Sequence, residues 1–248
     1  MTDRHRLRSV LNIAYLNGVI PIRTQPLYLI NLIAQPMAFL FTLTIASNGA
    51  YFQYGIGGGL VLTVLSVGTS LQTDMSHYKQ DLKLQDVLVA SPVEAPVYVA
   101  GMALSELVYS LPAIAVFVLI FVAAGWATVT NVLVVAGVLV LVWAFACALA
   151  FTLATYFQDV RETFLFSPLI SLGLTVIPPV YYPITYLPAW AQTAALFSPT
   201  TYAAELVQAS VGLVALPFAT EVRDWIVLVA FVVGLLLLAA VKARWQEP

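Results

Sequence analysis

The 248-residue chain is 61% hydrophobic and only 9% charged, with a formal net charge of −2. An average soluble domain is about 45–50% apolar and about 25% charged, so this chain has too little polar surface to face water, and lipid is its natural solvent. Three Lys and seven Arg, spread over the whole length, form no basic patch, which excludes nucleic acid as a partner.

The chain opens on Arg4, Arg6 and Arg8, and no compact apolar stretch with a cleavage site follows, so no cleaved signal peptide is expected. Leu7, Val10, Leu11, Ala14 and Tyr15 recur at helical spacing, with Arg6, Arg8 and Asn12 elsewhere. Residues 1–23 therefore read as a short amphipathic helix lying in the membrane interface. Between Arg23 and Asp74 lie 50 residues without a charge. A spanning helix needs about 20 residues, so this gap holds two spans, placed at 27–71, with a turn near Ser47–Gly55.

The longest polar stretch follows at 72–96. Leu84, Val87 and Leu88 share a helical face there, and Pro92 would end the helix. It reads either as a solvated connector or as a docking helix that offers an apolar stripe to a cytoplasmic partner. A second uncharged gap of 52 residues separates Glu106 from Asp159. Its two spans are placed at 97–155 with a turn near Gly125–Asn131, which puts Glu106 inside the membrane. Glu106 is read as the one buried ionisable residue, facing protein or a cavity; its role is a structural contact, with Tyr109 or a neighbouring Ser or Thr, or a polar point on a transport pathway.

The third gap, 42 residues from Glu162 to Glu205, is broken by Pro168, Pro178, Pro179, Pro183, Pro188 and Pro199. It predicts one span near Phe164–Val180 and then short broken helices that dip into the outer leaflet, the whole covering 164–224. Such backbone survives at membrane depth only where protein or a cavity covers it. The last span, 225–241, is at the lower limit of length. With the N-terminus cytoplasmic, Arg4, Arg6, Arg8, Arg23, Lys79, Lys83, Arg161, Lys242 and Arg244 all fall inside and only Arg223 outside, which favours an even number of spans with both termini cytoplasmic.

Several chemistries lack their residues. No Gly-Lys pair occurs, so there is no phosphate-binding loop. His5 and His77 are too few for a zinc protease, there is no G-x-S-x-G elbow, and the lone Cys147 sits in an apolar run where a small core residue is expected. The chain is not expected to be an enzyme or to hold a metal or cofactor.

The segment Pro178-Pro179-Val180-Tyr181-Tyr182-Pro183-Ile184-Thr185-Tyr186-Leu187-Pro188-Ala189-Trp190, followed by Phe197-Ser198-Pro199-Thr200-Thr201-Tyr202, resembles the signature of type-2 ATP-binding-cassette exporter permeases. Leu84–Val93 followed by Tyr98-Val99-Ala100-Gly101 is similar to that family's first cytoplasmic loop. The resemblance covers essentially the whole chain. It implies an all-α permease with six transmembrane helices, an interfacial N-terminal helix and re-entrant helices between spans five and six. It further implies two permease copies, as a homodimer or heterodimer, above two separate ATPase subunits that hold ATP and magnesium. Lys79, Asp81, Leu82, Lys83, Leu84, Asp86, Val87 and Leu88 would form the coupling helix, and Tyr181, Tyr182, Pro183, Pro188, Trp190, Pro199 and Tyr202 the extracellular gate. The aromatic and aliphatic character of a pathway in this chain favours a hydrophobic or amphiphilic cargo such as a drug, a lipid or a lipid-linked molecule. Few lysines beside more arginines and an acidic balance point to a prokaryotic source, bacterial or archaeal, and the plasma membrane is the expected location. An ATP-independent secondary transporter or channel is the main alternative; it would normally show paired intramembrane charges or an inverted repeat. A purely structural membrane subunit is the third reading.

Overall fold

The computed structural model describes residues 3–24, 27–80, 95–157, 160–175 and 177–242. Among these residues every regular element is helical. Helix α1 (Asp3–Ala14) runs through a π turn (Tyr15–Val19) into α2 (Ile20–Thr24), and α3 (Leu27–Ala46) and α4 (Phe52–Gln80) make the first long pair. The second pair is α5 (Ala95–Ala123) and α6 (Val129–Tyr156). Then come α7 (Val160–Thr175), a 3-10 turn (Ile184–Tyr186), the short α8 (Ala189–Ala195) and α9 (Pro199–Ser210), and finally α10 (Phe218–Lys242). Four segments, Phe52–His77, Pro96–Ala123, Val129–Tyr156 and Phe218–Ala239, are long and apolar enough to cross a membrane. In hydrocarbon a backbone must satisfy its own hydrogen bonds, and a helix does so within one segment.

The turns carry the local signals expected of them. Asn48 and Gly49 adopt positive φ between α3 and α4, and Gly125 does so between α5 and α6. Thr128 then caps α6, its hydroxyl accepting from the Asn131 backbone N–H at 3.2 Å. That satisfies one of the orphan donors of the first helical turn.

Helix α4 is the axis of the bundle. It is buried without a break from Gly55 to Leu65, and its apolar residues run all round it, as befits a helix enclosed by others. The core it organises includes Ile56, Leu60 and Val64 with Phe117 of α5, Val138 and Val142 of α6, Val207 of α9 and Leu228 of α10. Glycines let its neighbours come close. A Cβ at Gly68 would stand 2.7 Å from the Ala146 carbonyl oxygen, one at Gly58 would stand 2.9 Å from the Val180 oxygen, and one at Gly59 would overlap the Phe117 ring. Small residues at helix crossings are how membrane helices gain packing energy without a hydrophobic drive between them. The outward faces of α5, α6 and α10 show Leu119, Leu133 and Leu237, all at least 60% exposed, a surface suited to lipid.

Two expected boundaries are corrected here. The polar stretch 72–96 does not begin as a loop, because α4 continues through Lys79 to Gln80 and α5 already starts at Ala95. The last helix begins at Phe218, seven residues before the anticipated Trp225, because Glu221, Arg223 and Asp224 sit on its first turns. The N-terminal helix also packs against α5. Ala14 is buried, Ile13 packs on Gly101 and Gly18 on Ser105 of α5, while Leu7, Leu11 and Tyr15 stand exposed as a separate stripe.

Candidate functional site

Polar side chains gather at two ends of α4. At its C-terminal end Ser70, Thr73 and Asp74 face Glu106 and Tyr109 of α5 and Phe164, Ser167 and Pro168 of α7, with Asn17 and Pro21 of the N-terminal segment closing the side. Together they line a cavity of ≈ 590 Å³. Glu106 is 3% exposed, and its carboxyl group hydrogen-bonds that of Asp74. A hydrogen bond between two carboxyl groups needs a proton between them, so the pair cannot hold two negative charges. Beside the cavity the Thr163 hydroxyl donates to Ser76 Oγ at 3.0 Å, tying α7 to α4. The Ser167 hydroxyl is buried and has no hydrogen-bond partner. The partner found for Glu106 is thus Asp74, which the sequence reading had placed in a loop. The missed signal was spacing: Ser70, Thr73, Asp74 and His77 recur at three- and four-residue intervals, one polar stripe on a continuing helix.

The other end holds the Pro-rich segment. Helix α9 is buried along Pro199–Gln208. Polar bonds to backbone hold it: Thr200 Oγ1 donates to the Leu174 carbonyl, the Tyr202 hydroxyl to Leu196 at 2.8 Å, and Gln208 Nε2 to Pro179 and Val180 at 3.4 Å each. Tyr181 is buried and stacks on Phe39 with centroids 4.5 Å apart. Tyr182 and Pro183 are half-buried, Pro183 heads the 3-10 turn, Pro188 heads α8, and Trp190 is 76% exposed. Of the residues assigned to the gate, the structure therefore gathers Tyr181, Pro199 and Tyr202 inside and leaves Pro188 and Trp190 outside. Of the coupling residues, Lys79 lies on the last turn of α4, while Asp81, Leu82, Lys83, Leu84, Asp86, Val87 and Leu88 lie outside the described residues.

Glu106 is not the sole buried acid. Asp224 of α10 is fully buried and Glu205 of α9 is 7% exposed. Arg223 holds Asp224 Oδ1 with Nε at 3.0 Å and Nη2 at 2.7 Å, and its Nη2 lies 3.9 Å from Glu205 Oε2. Asp224 Oδ2 has no partner by geometry. Burial first, and then the adjacent Asp224 carboxylate, push the Glu205 carboxyl up to about 7, against the pull of Arg223. A proton on Glu205 would let it donate to the Asp224 carboxylate, with which it is hydrogen-bonded.

The sign of the resulting pH dependence follows from that upward shift. Folded protein keeps on Glu205 a proton that the unfolded chain releases near 4.5, so the associated stability is complete below that value and is lost as pH rises through about 7. The melting temperature of purified protein is expected to fall between pH 5 and pH 8. Glu205→Gln, which keeps a donor at every pH, should remove part of that fall; an unchanged slope in the variant would show that the proton resides elsewhere.

The ABC-2 type transporter family profile matches residues 20–212. The chain belongs to the ABC-2 type transporter family. The match begins in α2 and ends just after α9, so it takes in both polar ends of α4 and the Pro-rich segment. No curated protein matches the chain. The ABC-2 domain is the membrane permease of an ABC transporter rather than a catalytic domain, and membership implies partnership with an ABC ATPase subunit. This chain is accordingly a membrane-embedded, multi-pass transport protein.

Proposed function

We propose that the chain is the membrane-spanning subunit of an ABC exporter in a prokaryotic plasma membrane. It crosses the bilayer six times on α3, α4, α5, α6, α7 and α10, with both termini cytoplasmic. The family match across 20–212 carries this reading. The charge sorting supports it, since nine of the ten basic residues fall on one side with that topology and Arg223, paired with Asp224, is the tenth. Six spans require α3 and α7 to cross as well. Helix α3 has 20 residues and α7 has 16, with α7 continued by the buried turn at Val180 and Tyr181.

Two copies enclose the pathway, as a homodimer or with a relative, and two ATPase subunits that bind ATP and magnesium dock beneath them. Residues 79–91 form the coupling segment. Closure of the ATPases on ATP moves that segment, the rigid α4 carries the motion across the membrane, and the α8–α9 region with Tyr181 and Tyr202 opens outward. This polypeptide contributes no catalytic residue; it converts an external motion into alternating access. The cargo is hydrophobic or amphiphilic. The exposed stripe Leu7, Leu11, Tyr15 lies in the cytoplasmic interface and seats the N-terminal segment beside the coupling end.

The channel or secondary-transporter reading gains one point from the Asp74–Glu106 pair, since paired intramembrane acids are what it predicts. An affinity pull-down from the native membrane in mild detergent separates the two. An ATPase subunit with a phosphate-binding loop is expected to co-purify, and the complex, unlike the purified chain, should hydrolyse ATP. Transport by the chain alone, without ATP, would overturn the exporter reading.

A further inference from the structure

The cavity at the coupling end of α4 has features that a structural ion pair does not need. Two carboxyl groups from different helices, Asp74 and Glu106, meet at its wall and are hydrogen-bonded to each other. None of the described residues that line it is a Lys or Arg, although the His77 imidazole, on the next turn of α4, lies near enough to act on Asp74. Ser167 is 2% exposed, its hydroxyl has no partner, and it lies on the same wall from α7. A buried polar atom without a partner costs on the order of 1–3 kcal/mol. Three acceptors therefore border a space large enough for a small molecule, and the aromatic rings of Tyr109 and Phe164 share that wall.

We propose that this cavity binds an organic ammonium ion carrying an apolar group. The ammonium N–H groups would donate to Asp74, Glu106 and the Ser167 hydroxyl, and the apolar part would lie against Tyr109, Phe164 and Pro168. A cation would offset negative charge on either acid, which matters because charge at that depth is expensive. An alkylammonium fits better than a metal ion, since the described lining offers only two carboxyl groups, hydrogen-bonded to each other, and among the described residues there is no cluster of metal ligands. Tyr109 and Phe164 add a surface to which an ammonium ion is attracted. The proposal deepens the permease reading by naming a class of cargo, and it rests on that reading only for the movement of the bound molecule.

The test uses the purified full-length chain in nanodiscs and two fluorescent probes, dansylcadaverine, which ends in a primary ammonium, and its N-acetyl derivative, which has the same body and no charge. Saturable binding of the amine, with the acetylated probe at least about 10-fold weaker, is expected. Glu106→Gln and Asp74→Asn, which keep the side-chain shape, should each weaken the amine about 10-fold, and Ser167→Ala should weaken it by a smaller factor. Melting temperatures within a few degrees of wild type certify that the variants are folded. Equal affinity for both probes, unchanged affinity in folded Glu106→Gln and Asp74→Asn, or no binding of either probe would each overturn the proposal. Because no ATPase is needed, failure here leaves the co-purification result standing, and failure of the co-purification leaves this result standing.

Discussion

Replacing Gly68 with valine is expected to destroy or severely weaken the fold, although it adds only apolar atoms to an apolar helix. A Cβ there would stand 2.7 Å from the Ala146 carbonyl oxygen and 2.9 Å from the Ala146 Cβ. Those atoms belong to α6 itself, to its backbone and the first atom off it, so no flexible tip can swing aside. The contact lies at the crossing of α4 and α6, so the two helices must separate along their length. Overpacking of this kind costs about 3 kcal/mol or more, which for a chain of this size lowers the melting temperature by about 10 °C. Gly173→Val and Gly234→Val serve as matched controls, because nothing lies within 4 Å of the new atom at either position. Thermal unfolding of the three variants in detergent measures the contrast. A Gly68→Val protein as stable as Gly173→Val would mean that α4 and α6 are not in such close contact.

The second large effect is expected in the segment that links α4 to α5. Reversing the charges of Asp81, Lys83 and Asp86 should lower transport by about 10-fold or more while leaving the melting temperature unchanged, because these side chains would meet a partner protein rather than the bundle. ATPase activity of the complex in that variant should lose its response to cargo. Helix α4 explains why so distant a change matters. It is continuous from Phe52 to Gln80, so a displacement at Lys79 reaches Tyr54, whose hydroxyl donates to the Leu213 carbonyl at 3.1 Å just ahead of α10. Full transport in the triple variant would remove the docking role of the segment.

The membrane class and the family were legible in the amino-acid sequence because both rest on long-range regularities. Uncharged gaps of 50 and 52 residues admit few arrangements in lipid, and the ordered Pro, Tyr and Trp steps from Pro178 to Tyr202 carry the family likeness. The polar sites were harder to read, for a physical reason. Charge gaps locate a helix by where it must be apolar, so they set a charged residue at or beyond a helix end unless the length of a span demands otherwise, as it does for Glu106. Asp74 and Asp224 violate that rule. Each lies inside a helix because a neighbour supports it, Glu106 in one case and Arg223 with Glu205 in the other. Such pairings join residues 32 and 19 positions apart, and they become visible only when the helices are packed together. The N-terminal helix shows a related limit. Its apolar residues face two different surroundings, protein at Ile13 and Ala14 and open surface at Leu7 and Leu11, and hydrophobicity alone does not separate the two.

The central claim is that the segment after α4 lies on the cytoplasmic side, where a separate ATPase drives this chain. A single cysteine at Lys83, in a Cys147→Ala background, tests it with a membrane-impermeant maleimide. No labelling of intact cells is expected, with full labelling of inside-out vesicles and protection when the ATPase subunit is added back. Labelling from outside intact cells would contradict the topology and the exporter assignment together.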